Sequence, residues 1–349
     1  MLKKYPKFLY KKSAGRKNKM SDSNENIGRR EFLIRSIKAG VSVAFASTVS
    51  YLLYDSKGPQ REKPSENNII LPDYSVKPVN GKTISIAKGS DRKKCTEAAI
   101  RELGGMERFI KPGETVAIKP NIAFASSPDL GATSHPDLIA ELVRLCLKAG
   151  AKRVIVLDNP INDPASCYYL SGIEKAVKDS GGEIVLPKHE FFKNITLKNG
   201  RLIQDWPFLY EPLKKADKLI GVAPVKSHNR SGASMSMKNW YGLLGGRRNI
   251  FHQDINTIIT ELAGLVKPTL VILDGFQVMM SNGPTGGSLS DLKNLNTIIA
   301  STDQVAADSY GSGLLNMNIT DLPYLAMAEK AGAGISDYKS LKPLFVNAG

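Results

Sequence analysis

The feature that most constrains the fold is a regular alternation of short apolar segments and amphipathic segments that begins near Gly81. The apolar segments are rich in Ile and Val and are four to eight residues long, as in buried strands. Strands separated by helices pair in parallel through right-handed crossovers. The sequence therefore predicts an α/β domain whose mostly parallel sheet is flanked by helices, in one lobe or two.

The predicted elements follow one another without a fixed-period repeat. Strands are predicted at TISIAKG, TVAIKPN, RVIVLDN, EIVLP, KLIGVAPV, TLVILDGF and TIIAS. Helices are predicted at 92–103, 136–148, 173–180, 255–265, 303–316 and 322–332, and a small β-hairpin insertion near 193–207. The predicted domain organisation is a basic segment with a signal or anchor at 1–54, a linker at 55–80 and the α/β domain at 81–349, because 55–80 holds four prolines and little periodicity.

The formal net charge of +15 is concentrated at one end of the chain. Residues 1–38 hold twelve Lys and Arg against three acidic residues, which accounts for +9 of that charge. The predicted α/β domain has no stretch that interleaves aromatic and basic residues as platforms for nucleic-acid bases require. We therefore expect no nucleic-acid partner.

The segment GRREFLIRS, at 28–36, resembles a twin-arginine export signal. The pair Arg29 and Arg30 precedes Phe32 and Leu33, and an uncharged stretch with Gly and Ser runs from residue 39 to 54. The resemblance implies the twin-arginine translocon as a partner and a location in the periplasm or on the outer face of the membrane. The alternative is a basic patch ahead of a membrane anchor, although sixteen uncharged residues are short for a span.

Two details of this signal stay open. The AFA triplet at 44–46 has the small side chains of a cleavage site, but apolar residues continue after it, so either cleavage or retention as an anchor is compatible with the sequence. In the second case, membrane contact is expected only through the N-terminal segment. Met20 would begin a compact leader, so either Met1 or Met20 is the start.

The three cysteines, Cys95, Cys146 and Cys167, are widely spaced and form no C-x-x-C pair. We expect no iron–sulfur cluster from them, and their spacing leaves a disulfide between two of them open.

Polar residues follow several predicted strands, where the carboxyl ends of parallel strands form ligand crevices. Lys119 and Asn121 end one strand, Lys226 and His228 follow another, and Asp274 ends a third, while His135 begins a helix. Each has a simpler interpretation as a helix cap or a solvated strand end.

The glycine- and serine-rich segment from 226 to 252 lacks the apolar periodicity that would bury it. His228 and His252 flank it, and Lys238 and Asn239 lie within it. Its glycines allow the backbone to approach a ligand closely. We expect this segment to be functional and to converge with Lys119, His135 and Asp274 on one pocket.

Five stretches together resemble the family numbered 362 among domains of unknown function: KPNIAF, TSHPDLIAELVRLCLKAGAKRVIVLDNP, APVKSHNRSGASMSMKNWYGLLGGRRNIFH, LVILDGFQVMMSNGPTGG and IIASTDQVAADSYGSGLL. The resemblance spans about 81–317. Many relatives are fused to ferredoxin-type iron–sulfur modules, which this chain lacks. The order of histidines around the Gly- and Ser-rich segment is also similar to that of nickel-pincer lactate racemases, whose organometallic cofactor is held by histidine and lysine.

These observations predict an exported α/β protein that binds an anionic small molecule, or a cofactor with anionic groups, at the strand ends. The candidate reactions are a metal- or cofactor-dependent isomerisation or oxidoreduction, and the alternative is a non-catalytic periplasmic binding or assembly factor in the same crevice. Imidazoles suit metal ligation or acid–base work near neutral pH. The predicted catalytic residues are His228, His252 and Lys238. If the site holds a metal, both histidines are its predicted ligands. The predicted cofactor-binding residues are Lys119, Asn121, His135, Lys226, Asn239 and Asp274.

Overall fold

The structure, a computed structural model, describes residues 29–31, 33–38, 40–41, 69–78 and 80–349. The chain forms two compact units, Met1–Pro64 and Ser65–Gly349. The described residues of the first unit are helical and exposed, with an Arg35–Glu31 ion pair of 2.7 Å. Most of the predicted signal, including Met20 and the AFA triplet, lies outside the described residues, and no helix within the described ranges has both the length and the apolar character to span a bilayer.

The second unit contains eleven strands among its described residues. They are β1 (Ile84–Lys88), β2 (Thr115–Lys119), β3 (Arg153–Leu157), β4 (Glu183–Val185), β5 (Phe192–Ile195), β6 (Trp206–Leu209), β7 (Lys218–His228), β8 (Gly232–Ser234), β9 (Leu270–Met279), β10 (Leu292–Ser301) and β11 (Leu344–Asn347).

Its α-helices are α1 (Arg92–Glu102), α2 (Pro136–Lys148), α3 (Pro164–Leu170), α4 (Ile173–Asp179), α5 (Glu211–Lys214), α6 (Ser236–Asn239), α7 (Ile255–Leu265), α8 (Gln304–Leu314) and α9 (Pro323–Lys330). Short 3-10 helices connect several of them, including Trp240–Leu243 and Arg248–Asp254.

Nine strands form one sheet in the order β11-β1-β10-β9-β7-β2-β3-β4, with β8 paired to β7. The neighbours from β9 through β4 pair in parallel, whereas β10 runs antiparallel to both β9 and β1. β5 and β6 form a separate antiparallel pair, which is the predicted hairpin insertion. The predicted α/β class with a mostly parallel sheet is confirmed.

Helices cover both faces of the sheet because successive strand residues point to opposite sides. In β2, Val116 and Ile118 belong to the core layer that also contains residues of α1 and α2, while Ala117 belongs to the layer of α7 and α8. α2 begins and ends where its sequence pattern predicts, with Pro136 in its first turn.

The structure differs from the predicted elements in three ways. β7, β9 and β10 are longer than their predicted segments, and β7 continues through a polar stretch that pairs with β8. α3, α5, α6, β8 and β11 were not predicted. Within the predicted linker, residues 69–78 pack against the domain: Leu71 and Tyr74 are buried, and the Tyr74 hydroxyl donates to the carbonyl oxygen of Leu213 at 2.9 Å. The predicted domain boundaries otherwise stay a prediction.

Candidate functional site

A buried ion pair lies at the carboxyl ends of β2 and β3. The ammonium of Lys119 is 2.6 Å from Oδ1 of Asp158, and both side chains are at most 2% exposed. The same ammonium donates to the carbonyl oxygen of Pro120 at 2.7 Å and to Oδ1 of Asn239 at 3.0 Å. Burial lowers the pKa of Lys119, and the adjacent Asp158 acts in the opposite direction. These three acceptors use all three N–H groups of Lys119.

This arrangement corrects the predicted roles of Lys119 and Asn239. Lys119 has no N–H left for a ligand, so it balances Asp158 instead of binding an external anion. The Asn239 amide donates to the carbonyl oxygens of Lys119 at 3.2 Å and Val222 at 3.1 Å, so it holds β2, β7 and α6 together. Both residues build the wall of the site.

The buried ion pair explains why position 242, in the segment that follows α6, is a glycine. A Cβ at this position would collide with Oδ1 of Asp158 and with the Lys119 ammonium. The carbonyl oxygen of Gly242 also accepts from the backbone N–H of Asn159 at 3.1 Å. The close approach of this backbone to the ion pair therefore requires glycine.

Lys226 reaches into the same region from β7. It is 1% exposed, its ammonium donates to the carbonyl oxygen of Ala132 at 2.5 Å, and it lies 5.3 Å from the ring centroid of Phe124. Burial, and then the charges of Lys238 and Lys119, lower its pKa to about 7. Two of its N–H groups remain for other acceptors.

Lys238 lies on the short helix α6 and is 9% exposed. Its ammonium lies 5.3 Å from the ring centroid of Tyr241, and the described residues offer it neither an ion pair nor a hydrogen bond. Burial, and then Arg248, lower its pKa to about 8. A nearly buried lysine whose ammonium has no protein acceptor is the strongest indication of a ligand in this region.

Asp308, from α8, fixes the position of α6. Its carboxylate accepts from the backbone N–H groups of Ser236 at 2.8 Å and Met237 at 3.1 Å. Burial raises the pKa of this carboxyl to about 7. Asp308 thus anchors the first turn of the helix that carries Lys238.

The proton position of His228 is determined by the backbone. Its Nδ1 accepts from the N–H groups of Arg230 at 3.1 Å and Ser231 at 3.3 Å, so Nδ1 carries no proton and the neutral ring is protonated on Nε2. Burial, and then the charge of Lys238, lower its pKa to about 2. His228 is therefore a neutral hydrogen-bond donor.

His252 has the opposite proton position. Its Nδ1 is 3.2 Å from the carbonyl oxygen of Asn249 and 3.0 Å from the hydroxyl of Tyr241, which itself donates to the carbonyl oxygen of Arg248. A carbonyl oxygen can only accept, so Nδ1 carries the proton and Nε2 keeps a lone pair. Burial, and then Lys238, lower the pKa of His252. The rings of His228 and His252 stack with centroids 6.0 Å apart and planes 13° from parallel.

Seven of the nine predicted site residues line one inner cavity of about 90 Å³. They are Lys119, Asn121, Lys226, His228, Lys238, Asn239 and His252, contributed by β2, β7, α6 and the segments that follow them. The backbone N–H of Asn121 donates to the Ser134 hydroxyl at 2.9 Å, which holds this strand end against the start of α2. Residues more than 130 positions apart in the sequence thus meet at one edge of the sheet.

His135 and Asp274 do not line this cavity, which corrects the prediction of a single pocket. Asp274 alternates with Leu273 along β9, so it lies on the face of α1 and α2 and pairs there with Arg92 at 3.1 Å. His135 is the N-cap of α2, and its Nδ1 accepts from the N–H of Asp137 at 3.2 Å. Their alternative interpretation as a strand end and a helix cap fits these contacts.

The histidines do not fit a metal centre built on both of them. A metal-binding imidazole needs a lone pair on the ligating nitrogen, and the other nitrogen usually donates to a carbonyl or carboxylate oxygen. The backbone donors at Nδ1 leave the proton of His228 on Nε2, the only nitrogen free to face a metal. Within the described ranges, no three His, Cys, Asp or Glu side chains are grouped for metal binding. The three cysteines are free and buried.

Three residues that shape the site are absent from the predicted set: Tyr241, Arg248 and Asp308. Arg248 donates to the carbonyl oxygens of Tyr241 at 3.2 Å, Leu244 at 3.0 Å, Asn159 at 2.7 Å and Pro160 at 3.0 Å. It therefore holds the segment 241–248 against the end of β3. The adjacent Arg247 and Arg248 indicate a basic site in the sequence. The sequence does not show which of the two side chains packs into the protein.

The family of the chain follows from its sequence pattern. The family described as "Domain of unknown function (DUF362)" matches residues 116–313, which is more than half of the 349 residues. The chain belongs to the DUF362 family. Every residue that lines the inner cavity lies within the DUF362 match.

One similar protein is the "Thylakoid-associated protein sll1697" of Synechocystis sp., with 27% identity over 246 residues, 67% of this chain and 73% of that protein. Two solved structures are similar at 11% identity. The lactate racemase apoprotein from Thermoanaerobacterium thermosaccharolyticum has a TM-score of 0.39 over 73% of this chain, and a Thermotoga maritima protein has 0.34 over 68%. The chain spans 60% and 58% of their lengths, and likeness at this level carries no functional conclusion.

Proposed function

We propose that this DUF362 protein binds an anionic small molecule in the inner cavity. The observation that carries the proposal is the ammonium of Lys238, which has no acceptor among the described residues although the residue is only 9% exposed. Around it, the described lining residues include Lys119, Lys226 and Arg248 but a single carboxylate, that of Asp158. Cations in excess inside a low-dielectric site destabilise each other until an anion joins them. Lys226 and Lys238 are the two lysines with N–H groups left for a carboxylate or phosphate.

We further propose that the protein is an enzyme that moves a proton on this ligand. His228 presents an Nε2–H donor, which suits a ligand oxygen that gains negative charge. His252 keeps a lone pair on Nε2, which suits a base, and the Asn249 carbonyl oxygen stabilises its protonated form. A neutral donor and a base in one cavity are the groups that a proton transfer next to a carbonyl or carboxylate requires. An isomerisation is the reaction class that fits best.

Export by the twin-arginine route, with the protein in the periplasm or on the outer membrane face, remains part of the proposal. Its support is the sequence of residues 28–54 alone. A transition metal or an organometallic cofactor would need ligands other than the pair of histidines. Absorption spectroscopy and metal analysis of protein matured through the native export route test that alternative directly.

Binding is tested first, by isothermal titration calorimetry with sulfate as the probe. We expect wild-type protein to bind sulfate and Lys238→Met to bind it at least tenfold more weakly. The matched control is Lys152→Met, because Lys152 is exposed after α2. Equal sulfate affinity in wild type and Lys238→Met would contradict an anion site at Lys238.

Catalysis is tested by deuterium incorporation from D₂O into pyruvate, lactate and glycolate, which combine a carboxylate with an exchangeable carbon-bound hydrogen. We expect incorporation above the buffer rate for at least one of them. His252→Gln is expected to abolish it while the same carboxylate still binds. Carboxylates that bind without incorporating deuterium would refute the enzyme and favour the non-catalytic binding factor.

A further inference from the structure

The inner cavity is too small for most metabolites. Its volume is about 90 Å³, whereas ligand pockets usually measure roughly 300–1,000 Å³. A single carboxylate or phosphate group fills such a space. A ligand larger than an inorganic anion must therefore extend beyond it.

A second, outer cavity of about 670 Å³ adjoins the inner one. The two cavities share five lining residues, Asn159, Ile161, Tyr241, Arg248 and His252. His252 thus faces both spaces, with the base proposed above at their boundary. Gly246 and Asn249, which also line the outer cavity, are exposed and mark its opening to solvent.

The described lining of the outer cavity offers a ligand no carboxylate, ammonium or free guanidinium group. Among its described lining residues there is no carboxylate, and the one guanidinium, of Arg248, is occupied by four backbone carbonyl oxygens. Four planar rings line it, those of His189, Phe192, Tyr241 and His252, together with the prolines at 160 and 207. Such surfaces suit a planar, uncharged group.

The hairpin insertion forms one wall of this outer cavity. Phe192 comes from β5 and Pro207 from β6. The N–H of Gly245 donates to the carbonyl oxygen of Pro207 at 2.7 Å, and a Cβ on Gly245 would lie 2.7 Å from Cδ1 of Phe192. The insertion is therefore fixed against the segment that carries His252, which gives the β5–β6 pair a role in ligand binding.

From this geometry we infer that the ligand has two parts: an anionic group in the inner cavity and an uncharged aromatic body in the outer cavity. The inference rests on the proposed anion site and adds the chemical class of the rest of the ligand. A carboxylate joined to an aromatic ring through one hydrogen-bearing carbon has this shape, and it keeps the proton that His252 is proposed to move. Specificity for the body would then lie in the hairpin insertion, and the charge requirement in Lys226 and Lys238.

Isothermal titration calorimetry with methyl phosphate and 1-naphthyl phosphate separates the two parts. Both probes carry the same anionic group, and only the second has an aromatic body. We expect 1-naphthyl phosphate to bind at least tenfold more tightly. Phe192→Ala should remove most of this advantage and leave the methyl phosphate affinity unchanged, whereas Lys238→Met should weaken both probes.

Two further variants keep the test decisive. Phe192→Leu preserves an apolar wall without the ring, so it should lose part of the advantage even if Phe192→Ala does not fold. Phe345→Ala is the matched control, because Phe345 is 65% exposed on β11 at the edge of the sheet. Equal affinity for the two probes would refute the aromatic outer site and leave the anion site intact. Failure of both probes to bind would instead refute the anion site.

Discussion

Replacing Lys238 by methionine should stabilise the fold at neutral pH while it removes anion binding. Methionine has a similar length and fills the same space without a charge. Lys238 is 9% exposed, and the described residues offer its ammonium no acceptor. The wild-type fold therefore carries the cost of burying an uncompensated charge, and the variant does not.

The magnitude follows from the pKa of Lys238, which falls from an ordinary 10.5 to about 8. Each tenfold change in a protonation equilibrium corresponds to about 1.4 kcal/mol, so the charged form costs the folded state about 3 kcal/mol. Because the folded pKa lies below the unfolded pKa, the unfolded state binds more protons between pH 8 and 10.5. The cost is complete below pH 8 and disappears as the pH rises to 10.5.

Urea unfolding at two pH values measures this effect. We expect Lys238→Met to raise the free energy of unfolding by about 3 kcal/mol at pH 7 and by about 1 kcal/mol at pH 9.5. The buffers must contain chloride only, because sulfate or phosphate would bind the wild type and stabilise it. Lys152→Met again serves as the control and should change little at either pH.

Two results would refute this reasoning. A variant less stable than wild type at pH 7 would show that the Lys238 ammonium is stabilised by the fold. A gain of the same size at pH 7 and pH 9.5 would show that the methionine packs better and that charge burial plays no part.

Three further outcomes are expected. Sulfate affinity should fall as the pH rises from about 6.5 to 9, because Lys226 and Lys238, with pKa values of about 7 and 8, lose their charge while sulfate stays a dianion. Calorimetry that shows constant affinity over that range would contradict the assignment of these two lysines to the anion site. Gly242→Ala should lower the free energy of unfolding by more than about 3 kcal/mol, because the new Cβ collides with the buried ion pair. In the same urea assay, Gly264→Ala has open space around its Cβ and should stabilise α7 by about 0.5–1 kcal/mol. Changing the arginine pair at 29–30 to lysines should hold the protein in the cytoplasm, as cell fractionation would show, and unchanged export would remove the twin-arginine assignment.

The fold was predictable because each central strand can be recognised from its own local sequence. Short Ile- and Val-rich segments separated by amphipathic helices leave few arrangements other than a parallel sheet with helices on both faces. The boundaries of α2 and α7 agree with their patterns because caps and periodicity act within a few residues. The reversed direction of β10 has no such local signal, because strand direction depends on which neighbour the strand meets.

The site was predictable as a region and not as a set of roles. The strand-end rule brought Lys119 and Lys226 to one edge of the sheet, and both line the inner cavity. It could not show that Asp158, Pro120 and Asn239 would occupy every N–H of Lys119, since these contacts join different elements. A lysine that binds a ligand and a lysine that balances a carboxylate therefore look alike in the sequence.

The two histidines that accept backbone hydrogen bonds show where local reasoning ends. His135 and His228 each accept at Nδ1 from the N–H two residues further along the chain, so the same local contact fixes the same proton position in both. His135 makes this contact at the start of α2 and stays outside the inner cavity. His228 makes the same contact at the end of β7. This strand extends three residues beyond its apolar segment to pair with β8, and the extension places the His228 ring in the inner cavity beside Lys238. The chemical difference between the two residues thus comes from the length of a strand, and that length is set by the pairing of β7 with β8.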